Sequence, residues 1–315
     1  MPVEDAPSPL QLKTQEGPVS HVADQSSPPA PTPASEPDAF SLWIEAGQTE
    51  KHYWIDIWRF RELLFILAWR DLAVRYKQSV AGVAWALFEP LVRMLVMVII
   101  YQKFAGLPTI ADAPYAIMIF AGLLPWNFFA SSISKAGESL VGNANMISKI
   151  YFPRAIIPAS SVLVSLADFV ISLLILGGLM LWYDFSPTWR FLFLPVFTAL
   201  TLIASMGIGL LITALMVRFR DFRFIIPIIV QLGMWISVVP LTSAELRVKL
   251  GDLWYSLYTL NPLVGIIEGF RWSILGAGAP LSLLNLFVSL IVSLLIFAGG
   301  VTFFRKTERH FADII

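Results

Sequence analysis

Six apolar stretches dominate the sequence and restrict the kind of fold that it can adopt. An α-helix needs about 20 apolar residues to cross the hydrocarbon core of a bilayer. Stretches of about that length occupy residues 84–104, 115–135, 156–182, 191–217, 224–241 and 281–304. Charged residues make up only 14% of the chain, whereas soluble domains average about 25%. The sequence therefore predicts an all-α integral membrane protein with six transmembrane helices.

The segments on either side of the spans have different compositions. Nine of the 21 prolines fall within the first 39 residues, among Ser, Ala, Glu and Asp. Such a segment cannot bury enough apolar surface to offset its ordering entropy, so we expect a disordered tail over residues 1–50. The transmembrane domain would cover residues 51–311, with a short C-terminal segment over 305–315.

Residues 55–77 combine an apolar, Trp-rich pattern with eight charged side chains. A spanning helix would not tolerate so many charges, but a helix lying among lipid headgroups would. We therefore predict an interfacial amphipathic helix that contacts membrane lipids. Asp71 and Arg75 are four residues apart, a spacing at which they could pair.

The basic residues predict the orientation of the spans. Outside the N-terminal tail, six spans leave fourteen Lys and Arg residues on the side that holds both termini and only five on the other. Cytoplasmic loops carry the excess of basic residues, so both termini are expected in the cytoplasm. The largest external connection contains residues 251–275, two helical stretches broken at Asn261-Pro262, which is typical of a re-entrant helical hairpin. Within it, Gly265 and Gly269 have the spacing of a close helix-packing motif.

Ionisable residues inside spans are candidates for function. Glu89 and Arg93 are four apart in the first span, where they could pair with each other or place Arg93 beside a phosphate. Asp168 lies midway along the third span without an obvious partner in its own helix. It is either a functional carboxylate, or a group that is protonated or bonded to a neighbouring helix. Glu268 and Arg271 in the hairpin are three apart and are expected to pair.

Several kinds of chemistry find no support in the sequence. No phosphate-binding loop of the form G-x-x-x-x-G-K-[ST] is present, and the three histidines lie outside the predicted spans. No D-x-D motif or cysteine occurs. We therefore predict no catalytic residue, no metal site and no cofactor on this chain. The formal net charge of zero argues against nucleic acid as a partner.

Four segments in sequence carry a resemblance to a known family. They are WRDLAVRYKQSVAGVAWALFEP at 69–90, GLLPWNFF at 122–129, NANMISKIYFPRAIIP at 143–158 and TLNPLVGIIEGFR at 259–271. Together they resemble the permease subunits of type-2 ATP-binding-cassette exporters, in the branch that exports O-antigen, capsule and teichoic acid polymers. The resemblance extends over about residues 55–311.

The resemblance implies an assembly and a substrate. The chain would form a homodimer in the bacterial inner membrane and work with two copies of a separate ATPase subunit, which would bind the ATP and Mg²⁺. The chain itself would be a transport subunit and not an enzyme. The cargo would be a polysaccharide linked to polyprenyl pyrophosphate, with O-antigen favoured.

The resemblance also assigns residues to three sites. The coupling helix that contacts the ATPase would include Asn143, Asn145, Lys149, Phe152, Pro153 and Arg154. A cytoplasmic gate near the substrate's pyrophosphate would use Arg70, Arg75 and Lys77, and Arg93 is added to it from its position in the first span. The hairpin would form an external gate with Tyr258, Asn261, Pro262, Glu268 and Arg271.

Three alternatives remain open from the sequence. A drug or small-lipid exporter of the same superfamily would share the fold. An ion-coupled secondary transporter would work without an ATPase and would depend on Asp168. A membrane-embedded glycan-processing enzyme would need a cluster of acids, for which only Glu89 and Asp168 are available.

Overall fold

The computed structural model describes residues 53–77, 82–106, 109, 113–147, 149–237, 251, 253–279, 281–308 and 311. The predicted tail over 1–50 lies outside the described residues, as do 238–241 of the predicted fifth span and most of 309–315. The helices are α1 (Tyr53–Arg59), α2 (Arg61–Lys77), α3 (Gly82–Val98), α4 (Tyr115–Gly142), α5 (Ala144–Ile147), α6 (Ile156–Trp182), α7 (Leu194–Arg218), α8 (Phe222–Ile236), α9 (Pro262–Leu275) and α10 (Leu283–Glu308).

Five helical segments are long and apolar enough to cross a membrane. They are Ala84–Phe104, Tyr115–Gly142, Ile156–Trp182, Trp189–Arg218 and Leu283–Glu308. The predicted fifth span corresponds to α8, which has 15 residues and is therefore about 22 Å long. That is shorter than the roughly 30 Å of hydrocarbon, so the described part of α8 falls short of a full span. The predicted end of this span at residue 241 stays untested.

The helix boundaries differ from the predicted ones where apolar character and helix formation end at different residues. The helix α4 continues to Gly142, seven residues beyond the predicted end at 135, because Ser, Ala, Glu and Leu sustain a helix after the apolar run stops. The first span ends in a π-helical turn over Ile99–Phe104. The predicted interfacial helix is divided at Phe60 into α1 and α2, and α2 packs beside α6 and α3.

The helix α4 forms the centre of the fold and is buried along most of its length between α6, α7 and α9. Four phenylalanines join these helices. The ring centroid of Phe169 lies 5.4 Å from that of Phe128 and 5.9 Å from that of Phe270, which in turn lies 6.4 Å from that of Phe197. All four are buried, so these aromatics stabilise the core and are not available to stack on a sugar.

Close backbone approach joins α7 to α10. A Cβ atom added at Gly207 would lie 2.6 Å from the Cα atom of Phe297, and one added at Gly300 would collide with the carbonyl group of Gly207. The predicted close packing at Gly265 and Gly269 is also observed. A Cβ at Gly265 would lie 2.6 Å from the carbonyl oxygen of Asn285 on α10, and one at Gly269 would overlap the ring of Phe197. Small residues thus set the contacts of α10 with α7 and α9.

Candidate functional site

The Asp168 carboxylate is the centre of an ionic cluster between α2, α4 and α6. It lies 12 residues after the start of α6, or about 18 Å along the helix axis. Lys135 Nζ of α4 and Arg75 Nη1 of α2 both contact Asp168 Oδ2, at 2.6 and 2.5 Å. The hydroxyl group of Tyr76 donates a hydrogen bond of 2.8 Å to Asp168 Oδ1. Asp168 is therefore bonded to neighbouring helices, which is one of the two alternatives that the sequence left open.

The cluster is only partly accessible to solvent. The Asp168 and Lys135 side chains are 22% and 26% exposed, whereas that of Arg75 is 45% exposed. Salt screens partly buried charges less than surface charges. Salt should therefore weaken the Lys135–Asp168 contact less than the Arg75–Asp168 contact. Burial and the hydrogen bond to Asp168 raise the pKa of the Tyr76 phenol to about 12, which keeps Tyr76 protonated and able to donate at neutral pH.

A cavity of about 420 Å³ opens beside this cluster, between α2, α4 and α6. Its lining carries three cations and two carboxylates among small polar groups. These residues are Arg70, Asp71, Arg75, Lys135, Glu138, Ser139, Gly142, Asn143, Ser161 and Val164. The cavity has charged groups of both signs and is open on one side. These features are typical of a site that a ligand can enter from water, and not of a closed structural core.

The predicted gate residues divide between this cavity and other places. Arg70 and Arg75 line the cavity, whereas Lys77 is exposed at the end of α2 and does not line it. Arg93 Nη2 donates to Glu89 Oε1 at 2.7 Å within the first span, so the predicted pair with Glu89 is confirmed. The predicted Asp71–Arg75 pair is wrong. Asp71 Oδ1 instead accepts a hydrogen bond from Arg70, because Asp168 holds the Arg75 guanidinium.

The predicted coupling segment, residues 143–154, is less helical than expected. Its one described helix, α5, has only four residues, and Ser148 lies outside the described residues. Asn143 begins the segment: its Oδ1 accepts a hydrogen bond of 2.9 Å from Arg70 Nη2, and its Nδ2 donates to the Ser139 carbonyl oxygen. The side chains of four residues in this segment are exposed: Asn145, Lys149, Ile150 and Tyr151.

The last residues of the coupling segment face the protein interior. Phe152 is buried in an apolar cluster with Tyr53, Phe304 and Phe311, and Pro153 is half-buried. The backbone N–H of Arg154 donates to Glu308 Oε1 at 2.8 Å, and Arg154 Nη1 donates to the Glu308 carbonyl oxygen at 2.6 Å. Phe152 and Arg154 thus hold the segment to α10, whereas the Lys149 side chain is exposed.

The predicted external gate is a helical hairpin broken where the sequence indicated. A helical stretch over 253–259 precedes α9, which begins with Pro262 after Asn261. Asn261 Oδ1 caps α9 by accepting a hydrogen bond from the Leu263 N–H, and its Nδ2 donates to Ser237 Oγ at 3.0 Å. The Tyr258 hydroxyl donates to the Ser237 carbonyl oxygen. These bonds fasten the turn of the hairpin to the end of α8.

The hairpin also carries buried charged groups. Glu268 and Arg271 are only 9% and 5% exposed. The side-chain amide of Asn285 on α10 donates to both carboxylate oxygens of Glu268, at 3.3 and 3.2 Å, and to the Tyr255 hydroxyl oxygen. The pairing of Glu268 with Arg271 stays a prediction. Within the described part of the chain, no three His, Asp or Glu side chains lie close enough to hold a metal ion.

Tyr76, Lys135 and Glu308 contact predicted site residues but were not assigned a role from the sequence. Lys135 carried the strongest signal, because a lysine at the end of one apolar helix can neutralise a lone aspartate on another. Tyr76 and Glu308 gave no such signal, since their partners Asp168 and Arg154 lie 92 and 154 residues away in the chain.

Comparison with known proteins identifies one matching family and several similar proteins. The profile of a family described as ABC-2 type transporter matches residues 62–275. The chain is 28% identical to the O-antigen export system permease protein RfbA of Klebsiella pneumoniae over 255 residues, which are 81% of this chain and 95% of the relative. It is 27% identical to RfbA of Myxococcus xanthus over 216 residues, 69% of this chain and 81% of the relative. It is 24% identical to the polysialic acid transport protein KpsM of Escherichia coli over 257 residues, 79% of this chain and 93% of the relative.

Proposed function

We propose that this chain, which belongs to the ABC-2 type transporter family, is the membrane subunit of an ATP-driven exporter of a lipid-linked polysaccharide. The observation that carries the proposal is its similarity, over 95% of the relative's length, to a permease named for O-antigen export. O-antigen on polyprenyl pyrophosphate is the favoured cargo, and the bacterial inner membrane the favoured location. Both termini would lie in the cytoplasm, which the excess of basic residues on their side of the membrane favours.

The cavity beside Asp168 is the proposed entry site for the pyrophosphate of the cargo. Arg70, Arg75 and Lys135 line the cavity, and guanidinium groups bind phosphate oxygens with two hydrogen bonds in fixed geometry. Asp168 forms ion pairs with both Arg75 and Lys135 in the present conformation. A pyrophosphate, which carries more negative charge than one carboxylate, would compete with Asp168 for these cations and weaken the attachment of α2 to α6.

The coupling segment is the proposed contact with the ATPase. Its exposed face contains Asn145, Lys149, Ile150 and Tyr151, and an exposed apolar and basic patch at a membrane surface is typical of a protein interface. The working assembly would be a homodimer of this chain with two ATPase subunits, which bind the ATP and Mg²⁺. Closure of the ATPase dimer would move both coupling segments and switch the permease between two states.

Depletion of the chain tests the cargo. We expect a polyprenyl-pyrophosphate-linked polymer to accumulate in the inner membrane, because synthesis continues after export stops. Mass spectrometry of extracted lipid-linked glycans measures this accumulation and identifies the sugar. Unchanged surface polysaccharide with no accumulated polymer would contradict glycan export and favour a small-lipid, drug or ion-coupled transporter with the same fold.

Charge reversal on the exposed face tests the ATPase contact. Lys149→Glu should lower export at least about tenfold, because a like-charge contact at an interface costs several kcal/mol and each 1.4 kcal/mol is tenfold. Co-purification of the ATPase subunit measures the loss of contact directly. Lys103→Glu makes the same charge change at the opposite end of the bundle and should leave association intact. Equal association of the ATPase subunit with the two variants would contradict the placement of Lys149 in the interface.

A further inference from the structure

We propose that Glu308, at the end of α10, is a positioning residue that transmits movement of the coupling segment to the helix pair α1–α2. This inference rests on the proposed function, because it concerns how the movement of an ATPase reaches the gate. Three contacts of the described residues support it. They connect the coupling segment to Glu308, Glu308 to α1, and α2 to Asp168.

The first contact joins the coupling segment to Glu308. The Glu308 carboxylate accepts a hydrogen bond from the Arg154 backbone N–H, and the Glu308 carbonyl oxygen accepts one from the Arg154 guanidinium. A cation at the last carbonyl groups of a helix is also favoured by the helix dipole. The end of the coupling segment is therefore attached to α10 through both its backbone and a side chain.

The second contact joins Glu308 to α1. Tyr53 is only 7% exposed, and burial together with the nearby Glu308 carboxylate raises the pKa of its phenol. The Arg305 guanidinium lies 4.7 Å from the Tyr53 ring centroid, on the same turn of α10 as Glu308. Phe311 packs against Phe304 with ring centroids 5.5 Å apart and is fully buried. A single carboxylate thus contacts both the coupling segment and α1 within an apolar surrounding.

The third contact joins the helix pair to the gate. Helical hydrogen bonds continue across the break at Phe60, since the Phe60 N–H donates to the Asp56 carbonyl oxygen and the Leu64 N–H donates to that of Phe60. The helices α1 and α2 are therefore linked by backbone hydrogen bonds and can move together. The far end of α2 holds Asp168 through Arg75 and Tyr76. A shift at Glu308 is accordingly carried along α1–α2 to the cavity.

The start of the coupling segment has its own link to the same helix pair, because Arg70 of α2 donates to Asn143. Both ends of residues 143–154 are thus bonded to α1–α2, directly at Asn143 and through Glu308 at Arg154. Tyr53 and Glu308 lie outside the region, 62–275, that matches the family profile. The family match therefore assigns no role to either residue.

The experiment compares five forms of the full complex with its ATPase subunit in inverted membrane vesicles that contain the host's own lipid-linked glycan. They are the wild type, Glu308→Ala, Glu308→Gln, Tyr53→Phe and the double variant Glu308→Ala/Tyr53→Phe. Lys306→Ala, two residues away and exposed, is the matched control. The readouts are ATP hydrolysis, association of the ATPase subunit, and the number of glycans exported per ATP hydrolysed.

We expect Glu308→Ala to reduce glycan exported per ATP at least about fivefold, the lower end of typical coupling between sites, while hydrolysis and subunit association stay near wild type. Tyr53→Phe should also reduce the number of glycans exported per ATP. The double variant should lose little more than Glu308→Ala, because both substitutions break the same connection. Glu308→Gln keeps one acceptor oxygen and should recover part of the ratio.

The other outcomes overturn the inference. A wild-type ratio in Glu308→Ala, or a loss equal to that of Lys306→Ala, would show that the carboxylate does not transmit movement. Dissociation of the ATPase subunit in Glu308→Ala would show a structural role only. Additive losses in the double variant would separate Tyr53 from Glu308. Absence of ATP-dependent export in the wild type would instead contradict the proposed function, so the two failures are distinguishable.

Discussion

Replacing Asp168 with asparagine should lower export at least about tenfold and reduce the free energy of unfolding by roughly 2 kcal/mol. Removing one partner of a buried ion pair costs about 3–5 kcal/mol, because it leaves an unpaired charge. Lys135 would become that charge, since Asp168 is the carboxylate that pairs with it and the Lys135 side chain is only 26% exposed. The expected loss of unfolding free energy is smaller than for a fully buried pair, because the Arg75 side chain is 45% exposed and can return to water.

Two comparisons separate the effect of the charge from the effect of the substitution. Asp184→Asn makes the same chemical change at an exposed position in a loop and should leave thermal unfolding in detergent unchanged. Asp168→Asn combined with Lys135→Gln should recover part of the stability, because the unpaired ammonium group is also removed. Thermal unfolding of the purified protein and export in cells measure the two effects.

The gate hypothesis and a purely structural role predict different results for the double variant. If Asp168 only stabilises the packing of α2 on α6, export should recover together with stability. If Lys135 also binds the pyrophosphate, stability should recover while export stays low. Unchanged stability and export in Asp168→Asn would contradict both roles and leave the ionic cluster without a function.

The sequence predicted elements defined by local composition and missed contacts between distant helices. The helix α6 begins and ends at the predicted residues, because a 27-residue apolar run lies between polar connections. The break at Asn261-Pro262 was predicted because asparagine caps helices and proline favours their first turn. Both features can be seen within a few residues of the chain.

The coupling segment shows what local patterns leave undetermined. Phe152 and Arg154 were assigned to an ATPase contact, and the structure turns both towards α10 and α1. An irregular segment has no 3.6- or 2-residue period from which to infer which side chains face inward. For Lys149 the exposure agrees with the predicted partner contact, although nothing in its neighbouring residues distinguishes it from Arg154.

Alanine at Gly300 should destabilise the folded protein by about 3 kcal/mol, at the upper end of the cost of overpacking a core. Its Cβ atom would collide with the backbone carbonyl group of Gly207 where α10 crosses α7. A flexible side chain could move away from such a contact, but a helix backbone cannot move without separating the two helices. Thermal unfolding in detergent, together with the yield of monodisperse protein, measures the loss.

The adjacent Gly299 provides the matched control, because a Cβ atom there would have no neighbour within 4 Å and the residue is exposed. Gly299→Ala should be neutral or stabilising by up to about 1 kcal/mol, since alanine favours a helix more than glycine does. Two glycines next to each other in one helix should therefore respond in opposite directions to the same substitution. Equal responses would contradict the close crossing of α7 and α10, and with it the placement of Glu308 beside the coupling segment.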